Sequence, residues 1–343
     1  MEYRGKYSVF DLAEIETAPL KNRQNKVSVD DLILPEQALK APFEIDQESA
    51  GLIEEVAARI LSARKKGQPV LFFTGAHLIK NGLSLLVMDL IERGIVTLVG
   101  TQGAGAIHDF ELALIGQTSE YVPNALPEGK FGMAYEFCYI NEALKLGHEL
   151  KLGYGEALGR MICEPAFFSE VLSRVGRPGS PQKFAHPDKS LLACAYRKGI
   201  PFTVHAAIGT DVTDQHPGFS AEAKGGCSGR DFLIFVNEVA KFAQGGGVVL
   251  NVGSAVTGPE VLLKAVSMAS NAGRIPYQMF AADFDLRPYH PQHMSDEGAA
   301  GYYYRDQKSV VTRIPESFGS RGVYVQGNQK TTIPYLFRCI GSG

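Results

Sequence analysis

Leu98-Val-Gly-Thr-Gln-Gly-Ala-Gly-Ala-Ile-His-Asp109 is the stretch on which the reading of this chain turns. An apolar run over residues 95–99 ends in Gly100, Gly103 and Gly105, and helix-forming residues follow over 106–114. A strand that turns through glycine into a helix aims the first helical N–H groups outward, where a phosphate can accept them. Small residues also let a pyrophosphate come close to the main chain. The spacing is G-x-G with no third glycine in register. Glycine is also the default residue at such corners, so an ordinary strand–helix turn explains the stretch equally well.

Working outward, the pattern of buried strand and amphipathic helix repeats. Residues 53–65 have helical spacing and stop at Lys-Lys-Gly-Gln-Pro. Val70-Leu-Phe-Phe-Thr74 is apolar on both faces, as a strand covered on both sides must be. A helix over 83–93 with Gly94 at its end leads into the strand at 95–99, which makes a β-α-β unit and a right-handed crossover. Further helices are expected over 134–152, 189–197, 230–243 and 259–271, and strands over 202–208, 248–252 and 275–282. At least five buried strands alternating with helices predict a doubly wound, mostly parallel, Rossmann-like α/β sheet with helices on both faces. Residues 1–45, of mixed charge and weak periodicity, read as an N-terminal arm, and 46–343 as a single domain.

Composition narrows the function. The chain has 343 residues, 45% hydrophobic and 21% charged, with a net charge of −3, ordinary values for a globular protein. Its longest basic run is Arg64-Lys65-Lys66, which argues against nucleic acid as a partner. No apolar stretch reaches the roughly 18 to 20 residues that cross a bilayer, and the first residues lack the apolar core of a signal peptide. Five scattered cysteines form no C-x-x-C pair; reduced thiols and a cytoplasmic protein are the expectation.

Open parallel sheets bind ligands beyond the carboxyl ends of their strands. Those ends carry Thr74-Gly-Ala-His77, Gly100-Thr-Gln-Gly-Ala-Gly105, Gly209-Thr-Asp-Val-Thr-Asp214, Gly253-Ser-Ala255 and Asp283-Phe-Asp285, nearly all small, polar or acidic. A shared cleft explains five such ends better than five separate turns. His108 could donate to a phosphate or ribose, while Asp109 fits the first helical turn for dipole reasons alone. Asp211 and Asp214 read either as Asx-turns or as carboxylates for ribose hydroxyls or an amine. His205 reads as a core histidine. His290 and His293 lack a third ligand at a usual spacing, so no metal is expected. Tyr302-Tyr303-Tyr304 could wall a cation pocket or alternate into the core.

The order of these motifs resembles the deoxyhypusine synthase family over about residues 69–336. The likeness rests on Thr74-Gly-Ala-His-Leu-Ile-Lys-Asn-Gly82, the glycine turn with Asp109, and Gly199-Ile-Pro-Phe-Thr-Val-His-Ala-Ala-Ile-Gly-Thr-Asp211. Gly247-Val-Val-Leu-Asn-Val-Gly-Ser254, Phe284-Asp285, Ser295-Asp-Glu297, Gly327-Asn328 and Ile333-Pro334 complete it. The resemblance implies a homotetramer with NAD bound between subunits. It also implies oxidation of spermidine, with the aminobutyl group passing through an enzyme lysine to a lysine on a translation factor. It places Thr74, Thr101, Gly103, Gly105, His108, Asp109, Asp211, Gly253, Ser254 and Asn328 around NAD, with His108 where the family has a glutamate.

The chain departs from that pattern where the family does its chemistry. Tyr303 stands in the place of the family's catalytic lysine, and the nearest lysine is Lys308. Thr257-Gly258-Pro259 replaces a lysine–histidine–histidine run, and Arg287 enters a loop where the family has an amine-binding carboxylate. These changes argue for an NAD-dependent enzyme acting on a different amine or an amino acid. Arg287 would suit a substrate carboxylate, Lys308 an imine, and Asp214, Glu297 and Tyr303 would complete the catalytic group. Two alternatives stand beside this reading. One is a catalytically lapsed NAD-binding tetramer. The other is an ornithine- or arginine-metabolising enzyme, because residues 106–116 also look like the NAD-binding region of ornithine-metabolising proteins.

Overall fold

A computed structural model describes residues 3–175 and 181–341 of the chain; the outer ends of the expected arm and domain, residues 1, 2, 342 and 343, lie outside them. Among the described residues eight strands occur in chain order: β1 (Asn25–Ser28), β2 (Val70–Thr74), β3 (Leu98–Thr101), β4 (Gln117–Glu120), β5 (Phe202–Val204), β6 (Gly247–Val252), β7 (Met279–Asp285) and β8 (Gly322–Gln326). Six of them form one sheet in the order β5-β3-β2-β6-β7-β8, with every pair parallel. Counted along the chain this is 3-2-1-4-5-6, the order of the doubly wound dinucleotide-binding sheets, and its switch point lies between β2 and β6.

The helices used below are α1 (Gln47–Lys65), α2 (Ser84–Glu92), α3 (Gly103–Ile115), α4 (Phe137–Glu149), α5 (Tyr154–Cys163), α6 (Leu191–Lys198), α7 (Ala221–Ala240), α8 (Thr257–Asn271) and α9 (Gln329–Gly341). Alternate strand residues feed two separate cores, as the period of a pleated strand requires. Val70, Phe72, Val248, Leu250 and Phe284 pack in one core with α1, α2, α3 and α9. Leu71, Phe73, Val249 and Ala281 pack in the other with α7, α8 and a π-helical segment, Asp306–Arg313. Both faces are therefore dry, which is why these strands read as continuous apolar runs.

Several boundaries differ from the sequence reading for identifiable reasons. The strand expected over 202–208 stops at Val204, because its neighbour β3 ends at Thr101 and offers no further partner. The helix expected from residue 106 starts at Gly103, so Gly103 and Gly105 lie inside its first turn. The segment 1–45 does more than trail: β1 pairs antiparallel with β4, and Leu20, Leu32 and Ala38 are buried.

Candidate dinucleotide and substrate site

The carboxyl edge of the sheet carries two clusters, one on each side of the switch point. The first lies over β2, β3 and β5. Gly103 and Gly105 are required there by close approaches. A Cβ on Gly103 would stand 1.9 Å from the Asp211 carboxylate, and one on Gly105 2.1 Å from the Thr101 hydroxyl. Gln102 precedes α3 without a side-chain cap, so the first N–H groups of the helix are left for water or a ligand. Its own Oε1 is buried without a partner. Beside this turn lies a cavity of about 270 Å³ whose lining includes Lys26, Lys80, Ala104, His108 and Asp211.

The polar groups around this cavity are mostly spoken for. Arg23, from the N-terminal segment, reaches Glu111 at 2.7 Å and Glu120 at 3.7 Å. The Nδ1 of His108 lies 2.7 Å from the Thr118 hydroxyl, which also donates to Glu111. Asp211 and Asp214 both accept from the Lys224 ammonium, Asp211 at 2.7 Å, and all three side chains are buried. Burial pushes the Asp211 carboxyl above its usual range while Lys224 pulls it back. Thr74 donates to main-chain carbonyls of Gly75 and Val252, and Thr101 to that of Thr74. Lys26 and Lys80 have no carboxylate or hydrogen-bond partner among the described residues. Burial lowers the Lys80 ammonium from its ordinary value, and repulsion from Lys26 lowers it further. His77 is lowered by burial, then by Lys80 and His108. Lys26, Lys80 and His77 thus lie near one another, whereas the His108 Nδ1 also lies 3.4 Å from the Glu111 carboxylate.

The second cluster lies beyond β6, β7 and β8. Asn251 and Asp283 face each other across β6 and β7, and the Asn251 amide donates to Asp283 at 2.6 Å. Asp283 and Asp306 are both fully buried, and each keeps one oxygen without a partner. Burial raises both carboxyls; Asp306 raises Asp283 further, and Arg287 opposes the rise at Asp306. Arg287 donates to Asp285 at 3.1 Å and to Asp306, and its guanidinium lies 4.7 Å from the centroid of Tyr304. Lys308, buried on the π-helical segment, sits over the ring of Tyr302. The tyrosine run therefore does cover cations, but they are the chain's own. Tyr303 is exposed and donates to the Glu297 carbonyl at 3.2 Å, while Glu297 is exposed and accepts from Tyr302 at 3.0 Å.

Not every sequence candidate belongs to the edge. Asp109, expected near a cofactor, points the other way. Its carboxylate is fully buried and accepts from the Ser190 hydroxyl at 2.6 Å, Leu191 N–H at 2.7 Å and Leu192 N–H at 3.0 Å. It anchors the start of α6, and burial raises it to about 6. Ser254 accepts from Gly258 N–H at 2.9 Å and so holds the start of α8. Gly253, at φ +61°, would clash with Gln329 if it carried a Cβ. Asn328 is exposed, and its side chain accepts from Lys330 N–H at 2.9 Å. His205 is buried among Phe73 and Phe235, and burial lowers it to about 3. No group of His, Cys, Asp and Glu that could hold a metal ion occurs among the described residues, and no helix there is long and apolar enough to cross a membrane.

Sequence and structure together define an α/β protein with a six-stranded parallel sheet flanked by helices and a dinucleotide-type strand order. No protein-family model and no curated protein matches the chain. Among solved structures it is similar to apo ArgZ, an arginine dihydrolase from the ornithine–ammonia cycle in cyanobacteria, at 16% identity and a TM-score of 0.50, over 87% of this chain and 32% of that one. The ternary complex of AgrE with ornithine and NAD+ matches at 16% identity and a TM-score of 0.44, over 88% of this chain and 34% of that one. A putative deoxyhypusine synthase from Entamoeba histolytica matches at 10% identity and a TM-score of 0.43, over 90% and 92%. This chain spans about a third of the length of ArgZ and AgrE.

Proposed function

We propose that the chain is an enzyme that holds a nicotinamide dinucleotide along the carboxyl edge of its sheet and oxidises a carbon bearing an amine. The observation that carries this reading is the pair of unlike clusters on either side of the β2–β6 switch point. One is the cavity at the first turn of α3, which Lys26 and Lys80 enter without a carboxylate partner. The other is a buried nest of carboxylates around Arg287. Dinucleotides lie across such a switch point in sheets of this order. The residues present fit the group: uncapped N–H groups, side-chain-free glycines, unpaired ammonium groups and a buried orphan oxygen on Gln102.

The N–H groups at Gly103 and Ala104, with Lys80 and His108, would hold the phosphates and adjoining ribose. Gly253 and Ser254 border the other half. When bound, the dinucleotide supplies a hydride acceptor, and the protein supplies orientation and proton handling. Burial raises both Asp283 and Asp306, and Arg287 restrains the rise at Asp306, so Asp283 is the better placed of the two to hold a proton. Such a pair can take a proton from a substrate amine without building uncompensated charge. Arg287 spends Nε and Nη2 on Asp285 and Asp306. Its Nη1 remains for a substrate carboxylate, which favours an amino acid over a simple polyamine. Lys308 would form an imine with the oxidised carbon only after leaving the Tyr302 ring. A homotetramer completes the proposal.

The test is turnover: NAD or NADP with a panel of amines, amino acids and polyamines, read as reduced-nicotinamide absorbance. Production of reduced cofactor with an amino acid supports the reading. A bound dinucleotide with no turnover on any substrate supports the lapsed alternative. Light scattering reads the assembly.

A further inference from the structure

Deepening the reading above, we infer that the cavity beside α3 selects a dinucleotide carrying an additional phosphate on its adenosine ribose, NADP rather than NAD. A site for an unmodified ribose offers a carboxylate to its 2′-hydroxyl, whereas a site for the 2′-phosphate offers cations. The carboxylates that line this cavity are Glu111, Glu120 and Asp211. None is free. Arg23 holds the first two, and Lys224 holds the third. The strand that ends beside the cavity, β3, finishes at Thr101 and is followed by Gln102, so no acid enters from there.

The cations show the reverse pattern. Lys26 and Lys80 both line the cavity and have no partner among the described residues. They come from different parts of the chain, β1 and the short helix after β2, so the fold brings two like charges together. Lys80 and Lys26 repel each other, and His77 feels both Lys80 and His108. Gathering like charges costs free energy that a bound anion would recover. A phosphate diester of the pyrophosphate carries one charge per phosphorus, and the N–H groups of α3 already suit it. Two further ammonium groups match the dianion of a phosphate monoester.

The experiment is equilibrium binding of NAD, NADP and inorganic phosphate to the full chain by calorimetry, with no turnover required. NADP is expected to bind at least about tenfold tighter than NAD, with phosphate competing against NADP. Lys26→Ala is expected to weaken NADP by about tenfold while leaving NAD nearly unchanged, and Lys80→Ala to weaken NADP about tenfold more than it weakens NAD. Lys80→Arg should retain the preference. NAD binding as tight as NADP, or an equal loss for both in Lys80→Ala, overturns the inference and leaves the proposed function standing. Failure of both dinucleotides to bind overturns the two together.

Discussion

Replacing Lys224 with Met should unmask how much the corner of the site depends on one buried ion cluster. Its ammonium lies 2.7 Å from Asp211 and also pairs with Asp214, with side chains 1%, 4% and 7% exposed. Removing one member of a buried pair leaves an uncompensated charge, at a cost of about 3–5 kcal/mol. A chain of 343 residues has an unfolding entropy near 0.7 kcal/mol per degree, so the midpoint should fall by roughly 4–7 °C. The loss should also depend on pH. Burial already raises Asp211 and Lys224 restrains the rise, so without Lys224 the folded-state value climbs further above the unfolded one. The folded variant then keeps a proton that the unfolded chain has released, and its stability falls as pH rises through that interval. Thermal melts at about pH 5 and about pH 7.5 should show the larger deficit at the higher pH. Adding Asp211→Asn should recover part of it, because the orphaned charge is then removed. A deficit below about 1 kcal/mol, or one equal at both pH values and untouched by Asp211→Asn, would refute the reasoning.

Other substitutions separate structure from chemistry. Asp109→Ala strands the Leu191 and Leu192 N–H groups and the Ser190 hydroxyl. It should cost about 3 kcal/mol or more in denaturant melts while leaving dinucleotide affinity unchanged in the protein that remains folded. Asp231 accepts from Gly155 and Val204 N–H, and burial raises it from 3.8 to about 7. Stability should therefore decline by a few kcal/mol, on the order set by such a shift, as pH climbs between those values. Asp231→Asn should flatten that part of the profile. Borohydride trapping during amine oxidation should label Lys308 and not Lys224, whose nitrogen is committed to two carboxylates; equal labelling of wild type and Lys308→Ala removes Lys308 from the reaction.

The sheet was legible because burial on both faces leaves a mark in each strand: Val70-Leu-Phe-Phe-Thr74 and Val248-Val-Leu-Asn-Val252 admit little else. β8 was not, since Gly-Val-Tyr-Val-Gln has only three buried residues and a glycine and a glutamine at its ends. The first turns of α7 were hidden by Gly225, Gly226 and Gly229, which read as loop. Gly226 is there because a Cβ would stand 2.2 Å from His148. Missing those turns meant missing Lys224. Asp306 was missed for a related reason: its partners Asp283 and Arg287 lie about twenty residues upstream, and no local spacing announces the meeting.

The candidates found in sequence were chosen for being polar at strand ends, and polarity alone does not distinguish a ligand group from one that serves the fold. The distinction comes from which partners each group has already acquired. Asp109, Asp211, Asp214, Glu111 and Glu120 are satisfied from within the chain by main-chain N–H groups or by cations. A group so satisfied gains little by turning to a ligand, because the exchange trades one charged hydrogen bond for another. Groups at this edge without a protein partner include the Lys26 and Lys80 ammonium groups, the Gln102 Oε1, and the orphan oxygens of Asn251, Asp283 and Asp306. The two ammonium groups lie beside α3 and the orphan carboxylate oxygens beyond β7, on either side of the switch point. Such a division would suit an anion at one end of the edge and a proton or a cation at the other. The anionic cofactor and amine-bearing substrate proposed above would suit both ends at once, whereas a single small anion or a single amine would suit only one.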